Sequence, residues 1–185
     1  MLHRSSAAGT YHGVVDEYWY QVWGPPRRPS QHPDCSFILP HLLVGEYPTP
    51  EDAAWLRDDR AVTSVVNLQD DGDLASKGLR HADLAAAYAA LGMPFHRIPV
   101  PDCDRDTLQA RLDDTVQLLA DLVRDGHRVY LHCNAGLNRA PTMAVAYMHV
   151  HHGLSLAAAC EFVRSRRNCV PYMRVLEAHY QGTTG

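Results

Sequence analysis

The feature that most constrains the fold of this chain lies late in the sequence, where a strand pattern, a cysteine, a glycine-containing turn and an arginine follow one another. Residues 128–132 predict a strand, and a helix opened by Arg139 is predicted to run to about residue 152. Strand and helix patterns alternate along most of the remaining chain. Because that alternation is typical of parallel sheets covered by helices, we predict an α/β fold with a central, mainly parallel sheet flanked by helices.

The other elements are predicted from apolar runs, from apolar residues at helical spacing and from breaking residues. Two short apolar runs on either side of Pro40 suggest a β-hairpin, and the polar residues 69–73 suggest a turn after a buried strand. Asp106 and Gln109 have the spacing of a capping box, so Asp106 is predicted to cap one helix that ends at Gly126. Strands are also predicted at residues 62–68 and 95–100, and helices at residues 82–91, 156–166 and 172–181.

The turn between the late strand and its helix has the chemistry of a phosphate-binding site. Its backbone N–H groups can point inward around an anion, and the positive end of the following helix points toward the same place. Gly136 permits a backbone conformation that a side chain would resist, and Arg139 can bind two phosphoryl oxygens at once, which lysine cannot do. The predicted phosphate-binding loop comprises Asn134, Ala135, Gly136, Leu137 and Asn138.

Cys133, at the start of this loop, is the predicted nucleophile. The thiolate is the nucleophilic form of cysteine, and the N–H groups, the helix end and Arg139 all stabilise it. The alternative is a buried structural cysteine followed by an unrelated surface arginine. The histidine before the cysteine, the glycine inside the loop and the strand–loop–helix context argue against that alternative.

A thiolate expels an alkoxide or phenoxide only slowly without a proton donor, and one loop before the cysteine supplies three aspartates. Asp106 is assigned to the helix cap, which leaves Asp102 and Asp104. We predict that Asp102 is the general acid, because it lies at the end of a strand expected to neighbour the cysteine strand. Asp104 is the alternative.

Together these motifs resemble the dual-specificity branch of the protein tyrosine phosphatase superfamily. The resemblance covers residues 36–181, and within that branch the pattern is most similar to laforin and the plant glucan phosphatases. The matching stretches are residues 37–40, 43–45, 49–52, 67–71 and 133–137. The resemblance implies a dual-specificity phosphatase-like fold in which Cys133 forms a phosphocysteine, Arg139 binds phosphate, and Asp102 acts first as acid and then as base. It implies no metal and no other cofactor.

The substrate stays open at the level of the sequence. By the resemblance, Ser76 and Lys77 stand where aromatic residues are expected, Cys103 where plant glucan phosphatases carry Phe, and Val170 where one of them carries Phe. Sugars are bound mainly through the apolar faces of their rings. The leading prediction is a phosphomonoester hydrolase for phosphotyrosine, phosphoserine/threonine or a non-protein phosphate. The alternatives are a phosphoglucan phosphatase and a catalytically silent phosphate-binding module. The predicted partner is therefore a phosphorylated protein or a phosphorylated carbohydrate.

Composition narrows the other partners and the compartment. The formal net charge is −4 at pH 7 and no dense basic block occurs, so no nucleic-acid partner is predicted. No apolar run is long enough to predict a membrane span. The five cysteines are odd in number and form no C-x-x-C pair, which favours a reduced intracellular compartment, interpreted as the cytoplasm.

The first part of the chain differs in composition from the rest. Residues 1–34 are punctuated by proline and glycine, yet they contain several large aromatic residues. This combination predicts an irregular N-terminal arm packed on the domain, with ligand stacking as the alternative. Residues 35–185 are predicted to form the catalytic domain.

Two groups of residues outside the loop receive a weaker functional interpretation. Arg164, Arg166 and Arg167 lie near the end of a predicted helix and are interpreted as solvated capping residues, with substrate contact as the alternative. Cys103 lies beside the proposed acid. Cys103 is interpreted as a bystander thiol, which is the commoner case, with a reversible disulfide to Cys133 as the alternative.

Overall fold

The computed structural model describes residues 32–181 of the chain, so the predicted N-terminal arm lies outside the described residues except for residues 32–34. The strands are β1 (Cys35–Leu39), β2 (Leu42–Gly45), β3 (Ser64–Asn67), β4 (Phe95–Arg97) and β5 (Val129–His132). The helices are α1 (Asp52–Asp58), α2 (Asp71–Ser76), α3 (His81–Ala90), α4 (Arg105–Ala110), α5 (Leu112–Arg124), α6 (Arg139–His152), α7 (Leu156–Arg164) and α8 (Met173–Gln181).

The strands form one sheet in the order β1-β2-β5-β3-β4. Strand β1 pairs antiparallel with β2, which confirms the predicted hairpin, and the remaining pairs are parallel. His132, the last residue of β5, lies opposite Gly45 of β2 and Asn67 of β3. The carboxyl ends of three strands therefore meet where Cys133 begins the predicted loop. This arrangement confirms the predicted α/β class, with a central, mainly parallel sheet flanked by helices.

Side chains of the central strand alternate between two cores, one on each face of the sheet. Val129 and Leu131 of β5 lie in one core, and Tyr130 lies in the other. Helix α6 packs in the first of these cores, and each of its residues from 139 to 148 is buried. This burial fixes the N-terminus of α6 next to the carboxyl end of β5.

The strand before the acidic loop is placed differently from the prediction. Strand β4 lies at the edge of the sheet, and β3 separates it from β5. The prediction that the strand before Asp102 pairs directly with the cysteine strand is therefore wrong. The chain after β4 continues beside the end of β3. Ile98 N donates to the Asn67 carbonyl at 2.9 Å, and Val100 N donates to the Leu68 carbonyl at 3.0 Å. This extension carries the chain to Asp102 at the carboxyl edge of the sheet.

The polar stretch after β3, predicted as a turn over residues 69–73, forms the short helix α2. Its first turn is closed by a reciprocal capping box. The Asp70 carboxylate accepts a hydrogen bond from Asp73 N at 2.7 Å, and the Asp73 carboxylate accepts one from Asp70 N at 3.3 Å. The two aspartates three residues apart are the sequence signal that identifies this helix.

The helix predicted to begin at Asp106 also differs. It begins at Arg105, is capped by Asp104, and is divided at Arg111 into α4 and α5. The Asp104 carboxylate accepts hydrogen bonds from Thr107 N at 2.9 Å and from Thr107 Oγ1 at 2.7 Å. Asp104, and not Asp106, therefore satisfies the free N–H groups at this helix start.

Candidate active site

Residues 133–138, called the catalytic loop below, connect the end of β5 to the start of α6. Cys133 is 3% exposed and Arg139, the first residue of α6, is 2% exposed. Gly136 has a φ of +63°, in the left-handed region that favours glycine. The structure thus turns the chain sharply between the two residues predicted to act on phosphate.

The guanidinium of Arg139 is held by three groups from different parts of the chain. Its Nη1 donates to Asp73 Oδ2 at 2.5 Å and to the Val100 carbonyl at 2.7 Å. Its Nε lies 3.5 Å from Asp102 Oδ1. Burial opposes the charged form, but the negative charges of Cys133, Asp73 and Asp102 outweigh burial and raise the pKa of Arg139 above its ordinary value. The guanidinium is therefore a permanent cation beside the cysteine.

Asp73 from α2 also fixes the first part of the catalytic loop. Asn134 Nδ2 donates to Asp73 Oδ1 at 2.5 Å, while Asn134 Oδ1 accepts from Gln69 Nε2 at 2.7 Å. Tyr47 N donates to the Asn134 carbonyl at 2.9 Å. One buried carboxylate therefore joins Arg139 to the loop that begins at the nucleophile. The sequence interpretation did not identify Asp73 as a site residue, and its capping-box spacing was the signal available.

Arg167 contacts the backbone in the middle of the catalytic loop. Its Nε donates to the Gly136 carbonyl at 2.6 Å and its Nη2 donates to the Ala135 carbonyl at 3.1 Å. Its Nη1 lies 3.2 Å from Asp34 Oδ2, and the Arg167 side chain is 3% exposed. The interpretation of Arg167 as a solvated capping residue is therefore wrong, because the guanidinium is buried against backbone carbonyls.

The last part of the catalytic loop is bound by the segment between α7 and α8. Val170 N donates to the Leu137 carbonyl at 2.8 Å, and Asn138 Nδ2 donates to the Val170 carbonyl at 2.8 Å. Thr142 Oγ1 donates to the Asn138 carbonyl and accepts from Tyr172 N, both at 2.8 Å. Each of the predicted loop residues therefore lies in one continuous turn that neighbouring elements hold at both ends.

The loop with the candidate acids, residues 101–104, also contacts Arg139. Asp102 is 60% exposed at its side chain and lies closest to Arg139 through the 3.5 Å contact with Nε. Asp104 is occupied as a helix cap, and the hydrogen bonds from Thr107 lower the pKa of Asp104. Of the two candidates, Asp102 is the one that the structure brings to Arg139.

Tyr172 lies beside this acid loop and was not identified from the sequence. Burial and the nearby charges of Cys103 and Asp102 raise the pKa of Tyr172 to about 12. Its hydroxyl also interacts with Cys103, which has a φ of +62° and is exposed. Tyr172 thus stays a neutral hydrogen-bonding group at the edge of the site.

Three general properties of the described part of the chain bear on the predictions. Within residues 32–181, no group of three or more histidine, cysteine, aspartate or glutamate residues is arranged to bind a metal ion. In the same range, no helix combines the length and apolar character that a bilayer crossing requires. All five cysteines lie in this range and are free thiols.

Known proteins with a similar sequence include a plant phosphoglucan phosphatase and laforin. The chain is 33% identical to phosphoglucan phosphatase DSP4, amyloplastic, of Castanea sativa over 146 residues, which are 77% of this chain and 39% of that protein. It is 27% identical to laforin of Mus musculus over 146 residues, which are 73% of this chain and 44% of laforin. The chain therefore spans about two fifths of the length of these relatives.

The fold and the family are shown by two further comparisons. A crystal structure of PTPMT1 superposes with a TM-score of 0.66, covering 80% of this chain and 95% of that one at 22% identity, which identifies the fold. The sequence profile of the family described as dual specificity phosphatase, catalytic domain, matches residues 52–180. The chain belongs to the dual specificity phosphatase family, and its catalytic domain is that of a cysteine-based phosphatase.

Proposed function

We propose that the protein hydrolyses phosphate monoesters through a phosphocysteine, with Cys133 as nucleophile, Arg139 as phosphate ligand and Asp102 as general acid. The observation that carries the proposal is the convergence of these three residues. Cys133 begins the loop that Arg139 ends, and Asp102 lies 3.5 Å from the Nε of that arginine. A nucleophile, an anion-binding group and a proton donor thereby share one site.

The contacts of Arg139 leave one edge of its guanidinium for the substrate. Nη1 is occupied by Asp73 and by the Val100 carbonyl. Among the described residues, Nη2 has no hydrogen-bond partner and Nε has only the longer contact with Asp102. The Nε and Nη2 donors are suited to bind two phosphoryl oxygens together, because carboxylates and phosphates fit this planar fork.

The reaction then proceeds in two displacements. The Cys133 thiolate attacks phosphorus and forms the S–P bond, the bond from phosphorus to the leaving oxygen breaks, and Asp102 donates its proton to that oxygen. In the second step Asp102, now a carboxylate, accepts a proton from water. The water oxygen bonds to phosphorus, the S–P bond breaks, and inorganic phosphate leaves with the thiolate restored.

Replacement of the nucleophile tests this mechanism. Cys133→Ser should abolish phosphate release from a small aryl phosphate while the protein still folds and binds inorganic phosphate. Mass spectrometry of Asp102→Ala, quenched during turnover, should detect one phosphoryl group on the peptide that contains Cys133. Substantial turnover by Cys133→Ser, or a phosphoryl group on another residue, would contradict the mechanism.

The physiological substrate is proposed at the level of class. The leading candidates are phosphotyrosine, phosphoserine/threonine and small non-protein phosphates, because few aromatic platforms for a sugar lie at the rim of the site among residues 32–181. Val170 is 47% exposed next to the loop, and Cys103 is exposed beside Asp102. By the sequence resemblance, Cys103 stands where plant glucan phosphatases carry Phe, and Val170 where one of them does.

A phosphorylated glucan is the second candidate, favoured by the 33% identity to the chestnut phosphoglucan phosphatase. Two aromatic residues do lie near the site. Tyr172 lies beside the acid loop, and Tyr47 donates its N–H to the Asn134 carbonyl, with its ring 5.4 Å from Lys77 Nζ. The protein should be assayed on a phosphorylated glucan, a phosphopeptide and a small aryl phosphate, with Cys133→Ser as the blank.

Two added aromatic residues sharpen that assay. If the missing rings are what excludes sugars, the double variant Val170→Phe and Cys103→Phe should raise glucan activity relative to aryl phosphate activity. Val150→Phe, at an exposed position in the last turn of α6, is the matched control. A parent protein that already prefers the glucan would reject the leading class. A parent that binds inorganic phosphate but turns over none of the three substrates would indicate a silent binding module.

The domain limits and the compartment are proposed from the sequence. A fragment of residues 35–185 should fold and keep the aryl phosphatase activity if it forms the complete catalytic domain. A fluorescent fusion should be diffuse in the cytoplasm. Loss of activity in the fragment would show that residues 1–34 contribute to the domain.

A further inference from the structure

We infer that Arg167 is a positioning residue that orients two peptide groups of the catalytic loop for phosphate binding. The inference rests on the proposed function, since it concerns the same loop. Arg167 lies in the segment between α7 and α8, is 4% exposed and reaches the loop only through backbone carbonyls. It therefore acts on the site through the backbone.

The geometry of the peptide group supplies the mechanism. The Ala135 carbonyl belongs to the same peptide group as the N–H of Gly136, and the Gly136 carbonyl to the same group as the N–H of Leu137. The described part of the chain contains no cis peptide bond, and in a trans peptide the C=O and N–H point in opposite directions. By binding both carbonyls, Arg167 turns the two N–H groups away from itself, toward the side where the phosphate binds.

The contacts use the shape of a guanidinium. Nε and Nη2 reach two successive carbonyls, while Nη1 lies 3.4 Å from Ser36 Oγ and 3.2 Å from Asp34 Oδ2. A lysine ammonium at the same place carries its donors on one nitrogen and cannot span both carbonyls in this way. Arginine is therefore required by the geometry of the contact as well as by its charge.

The charge of Arg167 adds to the same effect. Its only carboxylate partner within the described residues is Asp34, whose side chain is 68% exposed and therefore well hydrated, whereas the side chain of Arg167 is 3% exposed. The cation is thus only partly neutralised and lies behind the two peptide groups. A fixed positive charge in a buried site favours the bound dianion more strongly than the same charge in water.

The packing at Gly136 shows how closely the guanidinium fits. A Cβ built on Gly136 would lie 2.7 Å from Arg167 Nη2. The loop backbone and the guanidinium are therefore in direct contact, without an intervening side chain. This contact fixes the peptide groups before any anion arrives.

Arg167→Lys, with Arg166→Lys as the matched control, tests the inference. Arg166 is the adjacent residue and is exposed. Within residues 32–181, its side chain contacts the end of its own helix through the Phe162 carbonyl and ring and through Ser165 Oγ. Tungstate binding is measured by calorimetry in a Cys133→Ser background, and turnover of an aryl phosphate is measured with Cys133 intact. All measurements are made at a temperature where circular dichroism shows each variant folded.

We expect Arg167→Lys to weaken tungstate binding and to lower kcat, each by about tenfold or more, since oriented N–H donors contribute more than this when one is removed. Arg166→Lys should change neither. If folded Arg167→Lys loses thermal stability but binds tungstate like the parent, Arg167 is merely structural and the inference is overturned. Absence of turnover in the parent protein would contradict the proposed function. Even then, the comparison of tungstate binding between Arg167→Lys and the parent would decide the role of Arg167, because it does not require turnover.

Discussion

The catalytic loop and the acid loop act on the same phosphate in the proposed mechanism, but the protein holds them very differently. The catalytic loop is bound through its carbonyls and side chains by α2, by Arg167 and by the segment before α8. The side chain of Asp102 is 60% exposed and, within residues 32–181, makes one ion-pair contact, at 3.5 Å. The proposed anion-binding part of the site is therefore preorganised, whereas the side chain of the proposed proton donor is held through one contact.

This difference predicts two kinds of mutational effect. Changes in the support of the catalytic loop should reduce activity on every phosphate monoester, because each substrate presents the same phosphoryl group to the loop. Changes at the acid loop should depend on the leaving group, because only poor leaving groups need the proton. The four predictions below test this separation, beginning with the largest expected effect.

Arg139→Lys should produce the largest loss. The variant keeps the charge but cannot bind Asp73 and two phosphoryl oxygens in one plane. We expect kcat/KM to fall by about 10³-fold on aryl and alkyl phosphates alike, as measured by steady-state kinetics. A much smaller fall on either substrate class would show that Arg139 is not the main phosphate ligand.

Asp73→Asn should be the next largest. The amide cannot accept from both Arg139 and Asn134 as the carboxylate does, so the arginine and the loop lose their common anchor. We expect kcat/KM to fall by up to about 10²-fold on both substrate classes, which is the effect of small misplacements in an active site.

Asp71→Asn is the control for this prediction. Asp71 lies in the same helix and pairs with Arg97, but its side chain is 92% exposed and away from Arg139. It should leave kcat/KM close to that of the parent. Equal effects of the two variants would mean that α2 acts through its stability and not through Asp73.

Asp102→Asn should separate the substrates. We expect a loss of about 10²-fold or more on alkyl phosphates, which need general acid catalysis, and a much smaller loss on an activated aryl phosphate. Asp106→Asn, at an exposed position in the first turn of α4, should leave both rates nearly unchanged. If Asp104→Ala reproduces the leaving-group pattern instead, the acid is Asp104.

Asp104→Ala should have the smallest effect on catalysis and a visible effect on stability. Removal of the cap should lower the melting temperature by a few degrees, with little change in aryl phosphate turnover. Hydrogen bonds from Thr107 lower the pKa of Asp104. The stability that this cap gives the folded protein is therefore fully present above the ordinary carboxyl pKa. The difference in melting temperature between parent and variant should therefore shrink as the pH falls through that lowered pKa.

The sequence predicted those parts of the molecule that local patterns encode. The strand into Cys133, the loop and the helix that starts at Arg139 all depend on neighbouring residues, and so does the alternation of strands and helices. The order of the strands in the sheet does not depend on neighbouring residues, and the prediction that β4 lies beside β5 is therefore wrong. A crossover connection between parallel strands allows β4 to lie beside β5 or beside β3, and the packing of the helices on the sheet decides between these two positions.

The residues that support the loop were missed for a related reason. Asp73 lies in a polar stretch without helical periodicity, and its contact with Arg139 joins residues far apart in the chain. Arg167 follows two exposed arginines, Arg164 and Arg166, and nothing in the local pattern marks it as the buried one. Burial of a single polar residue depends on the tertiary structure, so the sequence could not separate these three arginines.

The close approach of Gly136 to Gly45 has a consequence for the kinetic cycle. A Cβ on Gly136 would lie 2.5 Å from the carbonyl carbon and oxygen of Gly45, so two stretches of backbone pack directly against each other. The entropy of ordering this part of the loop is therefore lost when the chain folds, not when phosphate binds. We expect phosphate to enter and leave without opening of the catalytic loop, so that motion of this loop does not limit turnover.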